Sequence, residues 1–445
     1  MRLSAWLPLA VLSALAVSGA ATRPHYGGTL RVEMRAAPAA LDPAAPDATP
    51  LRSLVFETLV RLDVADAPQP CLALSWQHDA TARRWQFNLR PGVKFHDGSP
   101  LTAAAVAASL QEALPGLAIG ATADAVTMRA NHPLPDLLLE LAYNGWLGTG
   151  PFRVTALDPG RRATFAANED YWGGRPFLDA IDVQLGRGLR DQLADLELGK
   201  ADVVEVGPTD LRRASDHGRT VWPSAAVSLI ALAFAPGHAD DARLREALAL
   251  SIDRAAMHTV LLQKQGEVSA ALLPQWISGY AFAFLTAPDL PRARALANAL
   301  PPSSRALTLT YDPGMRAARS LAERVAVNAR DAGLAVQVSP QNPRADVRLV
   351  EIRLRSLDPV QALAGLAATL GLQEQAAPAP SESAASPAAL YESERKLLDG
   401  FRAIPLFQLP ILYGASSRVR VYAPPPITRL GDWRFANVWL SGTAP

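Results

Sequence analysis

The sequence is poor in cysteine and has no excess of either charge, and both features exclude classes of protein. Cys71 is the single cysteine among 445 residues, so no intramolecular disulfide can form. Its apolar neighbours favour a buried, inert thiol over a reactive one. The 43 Lys and Arg residues balance 42 Asp and Glu residues. A nucleic-acid-binding protein needs a basic surface that neutralises phosphates, so we predict no nucleic-acid partner.

Motifs for catalysis and for metal binding are also lacking. The seven histidines show no HxxxH or HxH spacing and have no cysteine partner, so we predict no zinc site. The chain contains no G-x-S-x-G elbow and no phosphate loop ending in Gly-Lys-Ser/Thr. His96-Asp97 is the nearest approach to an acid–base pair, but adjacent strand side chains point to opposite faces, and Asp97-Gly98 favours a hairpin turn. We therefore expect a protein that is not an enzyme and that holds neither a metal nor a cofactor.

The amino terminus carries an apolar segment. Arg2 precedes an uncharged stretch from Leu3 to Val17, and small residues follow it at Ser18-Gly19-Ala20. This order is typical of a secretory signal peptide, so we assign residues 1–21 to one. The alternative is a retained membrane anchor, although the stretch is shorter than the ~20 residues that span a bilayer. No cysteine stands where a lipoprotein would be acylated, so we expect a periplasmic protein if the source is Gram-negative.

Helix and strand patterns alternate along the rest of the chain, which predicts an α/β fold. Apolar residues at helical spacing predict a helix over Leu51–Leu62, and Thr102 is the expected N-cap of an Ala-rich helix that runs to about Glu112. A strand over Leu307–Tyr311, a helix over about Met315–Asp331 and a strand over Leu334–Val338 form a βαβ unit with parallel pairing. The length of the chain predicts two or three lobes rather than one core.

The longest motif is a run of nineteen residues, 85–103, which reads WQFNLRPGVKFHDGSPLTA. It closely resembles the signature of the family 5 extracellular solute-binding proteins, the peptide- and nickel-type receptors of ABC importers. Further stretches resemble landmarks of that family in the expected order, namely residues 26–32, 148–152, 168–174, 243–248 with 252–254, and 404–407. The resemblance covers nearly the whole chain after the apolar amino terminus.

The resemblance implies a two-lobed periplasmic binding protein of type II, with an extra subdomain inserted in lobe I and a central cleft. It assigns residues 22–50, 150–235 and 410–445 to lobe I, 51–149 to the inserted subdomain and 236–409 to lobe II. Within lobe II, residues 373–389 are almost all Ala, Pro, Ser, Gln and Glu, which predicts a disordered linker. The expected partners are a small solute, either a peptide or an organic anion, and an ABC permease; we expect a monomer.

The resemblance also implies where a ligand is held. In peptide-binding members, an acidic residue shortly before an Asp-Pro step pairs with the peptide amine. Here Arg355 occupies the matching position before Asp358-Pro359, with Arg353 on the same segment. An arginine there would attract a carboxylate or another anion rather than an amine. The alternative is a shortened loop in which Arg355 is simply solvated.

Five further residues are candidates for the cleft. Met34 and Arg35 follow the first strand, where strand ends meet the cleft in such folds. Trp276 is suited either to stack on a ligand or to pack in a core. Phe407 and Gln408 lie on the return segment and either line the pocket or pack as ordinary strand residues. The functional alternatives are a ligand-free sensor or scaffold, a secreted hydrolase, and uptake of a nickel chelate.

Overall fold

The computed structural model describes residues 23–42, 49–63, 67–142, 147–237, 239–280, 282–372, 386–423 and 425–442. The predicted signal peptide lies outside the described residues, as does the part of the predicted linker from 373 to 385. Within the described ranges, no helix combines the length and the apolar character needed to span a bilayer.

The strands and helices have the following bounds. The strands are β1 Thr29–Glu33, β2 Val60–Leu62, β3 Pro68–Pro70, β4 Ala73–His78, β5 Arg84–Leu89, β6 Ala118–Ala121, β7 Ala125–Arg129, β8 Phe152–Asp158, β9 Arg162–Ala167, β10 Ala180–Gln184, β11 Val203–Glu205, β12 Thr220–Phe234, β13 Glu267–Val268, β14 Ala306–Tyr311, β15 Ala335–Pro340, β16 Val347–Arg353, β17 Ala403–Ala415, β18 Val419–Val421 and β19 Val438–Leu440. The helices are α1 Thr49–Val55, α2 Ala103–Ala113, α3 Leu137–Leu141, α4 Leu189–Glu197, α5 Leu211–Ala214, α6 Ala242–Ser251, α7 Arg254–Val260, α8 Gln275–Ser278, α9 Leu290–Asn298, α10 Ala318–Asp331, α11 Pro359–Leu370 and α12 Pro387–Leu398.

A mixed 11-stranded sheet runs through the molecule in the order β15-β14-β16-β12-β17-β11-β1-β10-β9-β8, and β13 also pairs with β17. We use lobe I for the end that contains β1 and β8 to β11, and lobe II for the end that contains β14 to β16. The long strands β12 and β17 pair with each other and with neighbours from both ends. Their register shifts at points between Pro223 and Ala231, and such irregularities bend a strand. The two lobes therefore share this bent strand pair.

A separate four-stranded sheet of β4, β5, β7 and β6 forms the inserted subdomain, with α2 packed beside it. The N-cap of α2 is as predicted, because the Thr102 hydroxyl accepts a hydrogen bond from the Ala105 N–H at 3.2 Å. The predicted turn is also confirmed, since the Ser99 N–H donates to the Asp97 carboxylate at 2.9 Å. Asp97 therefore shapes a turn rather than forming an acid–base pair with its neighbour.

Lobe II consists of helices on both faces of its part of the sheet. The predicted βαβ unit is confirmed: β14 and β15 pair in parallel, with α10 between them in sequence. Successive side chains of β12 point to opposite faces. Ile230 and Leu232 pack in one core with α6 and α10, whereas Leu229 and Ala231 pack in a second core with α11 and α12. This burial on both faces explains why β12 is an almost continuous apolar run.

Two predicted elements differ from the structure. The helix expected over Leu51–Leu62 ends at Val55, because the chain then extends and pairs Glu57 with Leu147. A short apolar run fits helical and extended periods about equally well. Residues 386–389, which the sequence assigned to the linker, instead begin a helix, because Ser386 caps α12 and Pro387 occupies its first turn.

A buried carboxylate joins the inserted subdomain to lobe I. Glu57 accepts hydrogen bonds from the Thr149 hydroxyl at 2.8 Å, the Tyr171 hydroxyl at 2.8 Å and the Trp172 indole N–H at 2.7 Å. Burial raises the pKa of Glu57 although these donors oppose the shift. The Cys71 thiol lies 3.7 Å from the same carboxylate and is buried, as predicted. Two of the segments that carry the family resemblance, residues 148–152 and 168–174, thus supply donors to one buried acid.

Candidate ligand-binding cleft

Arg35 reaches from lobe I to lobe II at the end of β1. Its backbone N–H donates to the Glu205 carboxylate at 2.7 Å, which fixes the residue beside β11. Its Nη1 donates to the Gly314 carbonyl at 2.7 Å, and its Nη2 lies 3.2 Å from Glu351 Oε2. Because β1 pairs in parallel with β10 and β11, its carboxyl end marks the edge where ligands bind in open α/β sheets. This contact therefore lies on the floor of the cleft between the lobes.

A second arginine engages the same carboxylate from within lobe II. Arg316 Nε lies 2.9 Å from Glu351 Oε1, and its Nη1 donates to the Pro410 carbonyl at 2.6 Å. Burial raises the pKa of Glu351, but Arg316 and Arg35 outweigh that effect and lower the pKa to about 2. Glu351 is thus ionised and both its oxygens face guanidinium groups.

Arg353 makes another contact between the lobes. It ends β16, and its Nη2 donates to the Leu430 carbonyl at 2.6 Å and to Asp432 Oδ1 at 3.2 Å. Both acceptors belong to the carboxyl-terminal segment that follows β18. Asp432 is buried. The sequence-predicted candidates Arg35 and Arg353 therefore both cross the cleft, and both end on groups of the protein itself.

Trp276 lies where α8 of lobe II meets β12. Its indole N–H donates to the Ala226 carbonyl at 3.1 Å. The Arg429 guanidinium carbon lies 4.2 Å from the centroid of the indole ring, a cation–π contact. Trp276 is half-buried against the second lobe II core. The sequence suited Trp276 either to stack on a ligand or to pack in a core. The structure shows the packing, and the role toward a ligand stays a prediction.

Apolar side chains also meet between the lobes. Leu62 of β2 and Ala142 after α3 belong to the same cluster as Leu354, Leu363 and Leu430. Burial of apolar area contributes roughly 25 cal/mol for each Å² removed from water. The contact between the lobes is therefore stabilised by apolar burial as well as by the charged groups of Arg35 and Glu351.

The other candidates lie inside the cores or at the surface. Met34 is buried in the core of lobe I. Phe407 is fully buried in the core of lobe II, and Gln408 is buried, with its amide donating to the Leu272 carbonyl at 2.7 Å. Arg355 is exposed. Met34, Phe407 and Gln408 thus make packing contacts, and their roles toward a ligand stay predictions.

Three carboxylates influence one another near Asp358-Pro359, the step from which the position of Arg355 in the family pattern was assigned. Asp358 caps α11, accepting from the Gln361 N–H at 2.7 Å. Burial and the charge of Asp358 raise the pKa values of Asp136, which precedes α3, and of Glu140, which lies within it. The interface between α3 and the start of α11 is thus acidic.

Sequence reasoning missed Glu351, Arg316, Arg429 and Asp432. One signal was present for Glu351: with period two, it shares a strand face with Val347 and Leu349, which are buried in the lobe II core. A carboxylate that continues a buried apolar face needs a charged partner. The other three residues lie in loops, where the sequence shows no such periodicity.

An open groove of about 310 Å³ lies on the lobe I side of the cleft. Its walls come from the β2–β3 hairpin, the start of β12 and the carboxyl-terminal segment; the lining residues are Asp63, Pro223–Ala225, Pro425, Ile427–Arg429 and Arg434. Arg429 also contacts Trp276, so the groove adjoins lobe II. Among the described residues, no group of three or more His, Cys, Asp or Glu is placed to hold a metal ion.

Comparison with known protein families gives a match over most of the chain. Residues 67–123 and 141–359 match the sequence model of a family described as "Bacterial extracellular solute-binding proteins, family 5 Middle". A relative from Escherichia coli (strain K12), named "Probable D,D-dipeptide-binding periplasmic protein DdpA", is 25% identical over 249 residues, 47% of this chain. The chain spans about half the length of that relative, 48%.

Solved structures resemble this one over almost its whole length. A dipeptide-binding protein from Pseudoalteromonas sp. SM9913 in complex with Met-Leu has a TM-score of 0.79 at 15% identity, covering 93% of this chain and 100% of that one. NikA from Staphylococcus aureus in complex with Ni(L-His)2 has a TM-score of 0.77 at 16% identity, covering 93% and 100%. These likenesses confirm the predicted two-lobed α/β fold.

Proposed function

The chain belongs to the family 5 bacterial extracellular solute-binding proteins, and from this premise we propose that it is the substrate-binding component of an ABC importer. It captures a peptide or a similar small solute between its lobes and delivers it to a permease in the cytoplasmic membrane. The observation that carries the proposal is the contact of Arg35 with Glu351 across the cleft floor, because it joins the two lobes at the edge where such folds hold ligands.

The mechanism is binding without chemical change. A ligand that touches both lobes favours the closed state by its differential affinity for that state over the open one. The bent β12–β17 pair supplies the connection about which the lobes move. The family consists of solute-binding proteins, which supports capture rather than turnover.

The location and the division of the chain form part of the same proposal. We place the protein in the periplasm as a monomer, exported by residues 1–21. We also keep lobe I at 22–50, 150–235 and 410–445, the inserted subdomain at 51–149, and lobe II at 236–409. The amino-terminal pattern and the family's extracellular character support this assignment.

A second candidate function is a ligand-free sensor or scaffold with the same fold. One observation favours it: both oxygens of Glu351 are engaged by Arg35 and Arg316, so the protein itself supplies the charged partners of this carboxylate at the cleft floor. A scaffold would need no guest molecule to close.

Mass spectrometry of the protein expressed in a periplasm tests the two functions against each other. A receptor is expected to carry a small molecule that dissociates on unfolding and that raises Tm when added back, since binding to the folded state stabilises it. A Tm that no co-purified compound, peptide, sugar or organic anion changes would support the scaffold instead.

A further inference from the structure

One turn of the carboxyl-terminal segment, residues 427–434, contacts both lobes, and we call it the strap. At its base, Ile427 and Trp433 form an antiparallel bridge. Nearer the tip, the Thr428 N–H donates to the Asp432 carbonyl at 2.7 Å, and the Asp432 N–H donates to the Thr428 hydroxyl at 2.9 Å. These paired backbone groups give the strap a defined shape, so its base and its tip are held at fixed positions relative to each other.

The base of the strap packs in lobe I. Ile427 and Trp433 are buried in the core that also contains β1. The Trp433 carbonyl accepts from the Ser53 hydroxyl at 2.8 Å, and the Arg434 guanidinium donates to the Leu62 carbonyl at 2.5 Å. The base is therefore fixed to lobe I and to the inserted subdomain.

The tip of the strap packs in lobe II. Leu430 is buried in the second lobe II core, the one that contains α11 and α12. Its carbonyl accepts from Arg353 Nη2 at 2.6 Å, and the same nitrogen lies 3.2 Å from Asp432 Oδ1. Asp432 is buried, so solvent and salt screen this pair less than a surface pair. Ile427 and Leu430, three residues apart, are thus buried in different lobes.

A glycine shapes the tip. Gly431 has a φ of +84°, in the left-handed region that favours glycine. A Cβ atom at this position would lie 3.5 Å from Arg353 Nη2. The Gly431 carbonyl accepts from the Tyr413 hydroxyl at 3.2 Å, which ties the tip to β17, a strand shared by both lobes. Gly431 therefore allows Leu430 and Asp432, on either side of it, to reach one guanidinium.

We propose that the strap fastens lobe I to lobe II through the protein's own contacts, without a solute, and that Leu430 must leave the second lobe II core before the lobes separate. The apolar contact of Leu430 and the charged contact of Asp432 lie on one turn, so they are made and broken together. A solute that enters the open state then meets only molecules whose strap is released, and the smaller that fraction is, the weaker its apparent affinity becomes. This consequence rests on the proposed function, whereas the strap itself does not.

Spin labels on two exposed residues would measure the separation of the lobes in the full chain. L198C places one label on lobe I and V260C places the other on lobe II, since Leu198 is 68% exposed and Val260 is 71% exposed. The native Cys71 is buried and is expected to stay unlabelled. Double electron–electron resonance then gives the distribution of distances between the labels, in protein dialysed free of small molecules.

Two substitutions weaken the strap in different ways. L430A should raise the ratio of long to short label distances about tenfold or more, because it removes most of the apolar side chain from the lobe II core. R353Q should raise the same ratio about threefold, because it removes both hydrogen bonds from lobe II to the strap. R353Q also keeps the test open if L430A does not fold.

I427A is the matched control for L430A. Ile427 is 3% exposed and Leu430 is 2% exposed, but Ile427 packs in lobe I. I427A should lower Tm and leave the label distances unchanged. The strap would be overturned if L430A and R353Q both kept the wild-type distances, or if I427A changed them as much as L430A does. Neither result would bear on solute capture, which the mass spectrometry of co-purified compounds tests separately.

Discussion

The guanidinium of Arg35 lies 3.2 Å from the carboxylate of Glu351, across 316 residues of sequence and across the cleft. Arg35 also donates to the Gly314 carbonyl, so one side chain of lobe I makes two contacts with lobe II. Its side chain is about one-third exposed, 33%, so solvent screens part of the attraction. Solvent screening therefore limits how strongly this pair holds the two lobes together.

Replacing Arg35 should open the cleft. R35A removes both contacts with lobe II, namely the hydrogen bond to the Gly314 carbonyl and the charged pair with Glu351. We expect the population of closed molecules to fall about tenfold relative to open ones, which small-angle X-ray scattering would show as a larger radius of gyration.

R31A is the matched control for R35A. Arg31 lies on β1, the strand that Arg35 follows, and pairs with Asp202 at 2.9 Å, but both Arg31 and Asp202 belong to lobe I. R31A should lower Tm and leave the scattering curve unchanged. Identical scattering curves for the two variants would show that the Arg35 contact does not hold the lobes together.

Replacing Glu351 should lower stability and remove part of its pH dependence. The pKa of Glu351 is lowered to about 2 because Arg316 and Arg35 outweigh burial. The ionised Glu351 side chain adds about 3 kcal/mol to the free energy of unfolding. This stabilisation is present above the unfolded pKa of about 4.3 and is lost as the pH falls through 2. E351Q should therefore have a lower Tm at pH 7, and the difference from wild type should shrink toward pH 2. A constant difference over that range would contradict the pairing.

The fold was largely predictable because its signals are local. The βαβ unit over Leu307–Val338 follows from its apolar periodicity and from Gly333, which ends its helix, and the turn at Asp97 follows from its Asp-Gly step. Thr102 marks the start of a helix through its hydroxyl. Each of these features depends on neighbours a few residues apart, so the sequence alone carries it.

The cleft was less predictable because its contacts join distant segments. Arg35 was a candidate, but its partner Glu351 depends on how two lobes meet, which no local pattern encodes. Phe407 and Gln408 illustrate a different limit. Strand β17 is buried on both faces over most of its length, so alternation could not distinguish a pocket position from a core position.

The thiol of Cys71 should be unreactive in the folded protein. It is buried beside Glu57, and burial together with that neighbouring carboxylate raises its pKa, so the reactive thiolate is scarce at neutral pH. A thiol reagent such as DTNB should label Cys71 only after unfolding. L198C is the control, because Leu198 is 68% exposed and a thiol there should react at once. Rapid labelling of the folded wild-type protein would contradict the burial.

A neutral replacement of Glu394 should stabilise the protein above neutral pH. Glu394 of α12 is buried and accepts hydrogen bonds from the Leu273 N–H at 3.1 Å, the Leu272 N–H and the Tyr280 hydroxyl. Burial raises its pKa to about 7 although these donors oppose the shift. The folded state therefore holds the proton more tightly than the unfolded state, whose pKa is about 4.3. The stability linked to that proton is fully present below pH 4.3 and is lost as the pH rises through 7.

E394Q keeps the shape of the side chain and an acceptor for the two backbone donors, but it cannot ionise. We expect its Tm to match that of wild type near pH 5 and to exceed it at pH 8, by the equivalent of up to about 3 kcal/mol. E392Q is the control, because Glu392 lies on the same helix and pairs with Arg395 at the surface. If E394Q lost stability equally at pH 5 and pH 8, the carboxylate would be needed for its hydrogen bonds and its titration would be irrelevant.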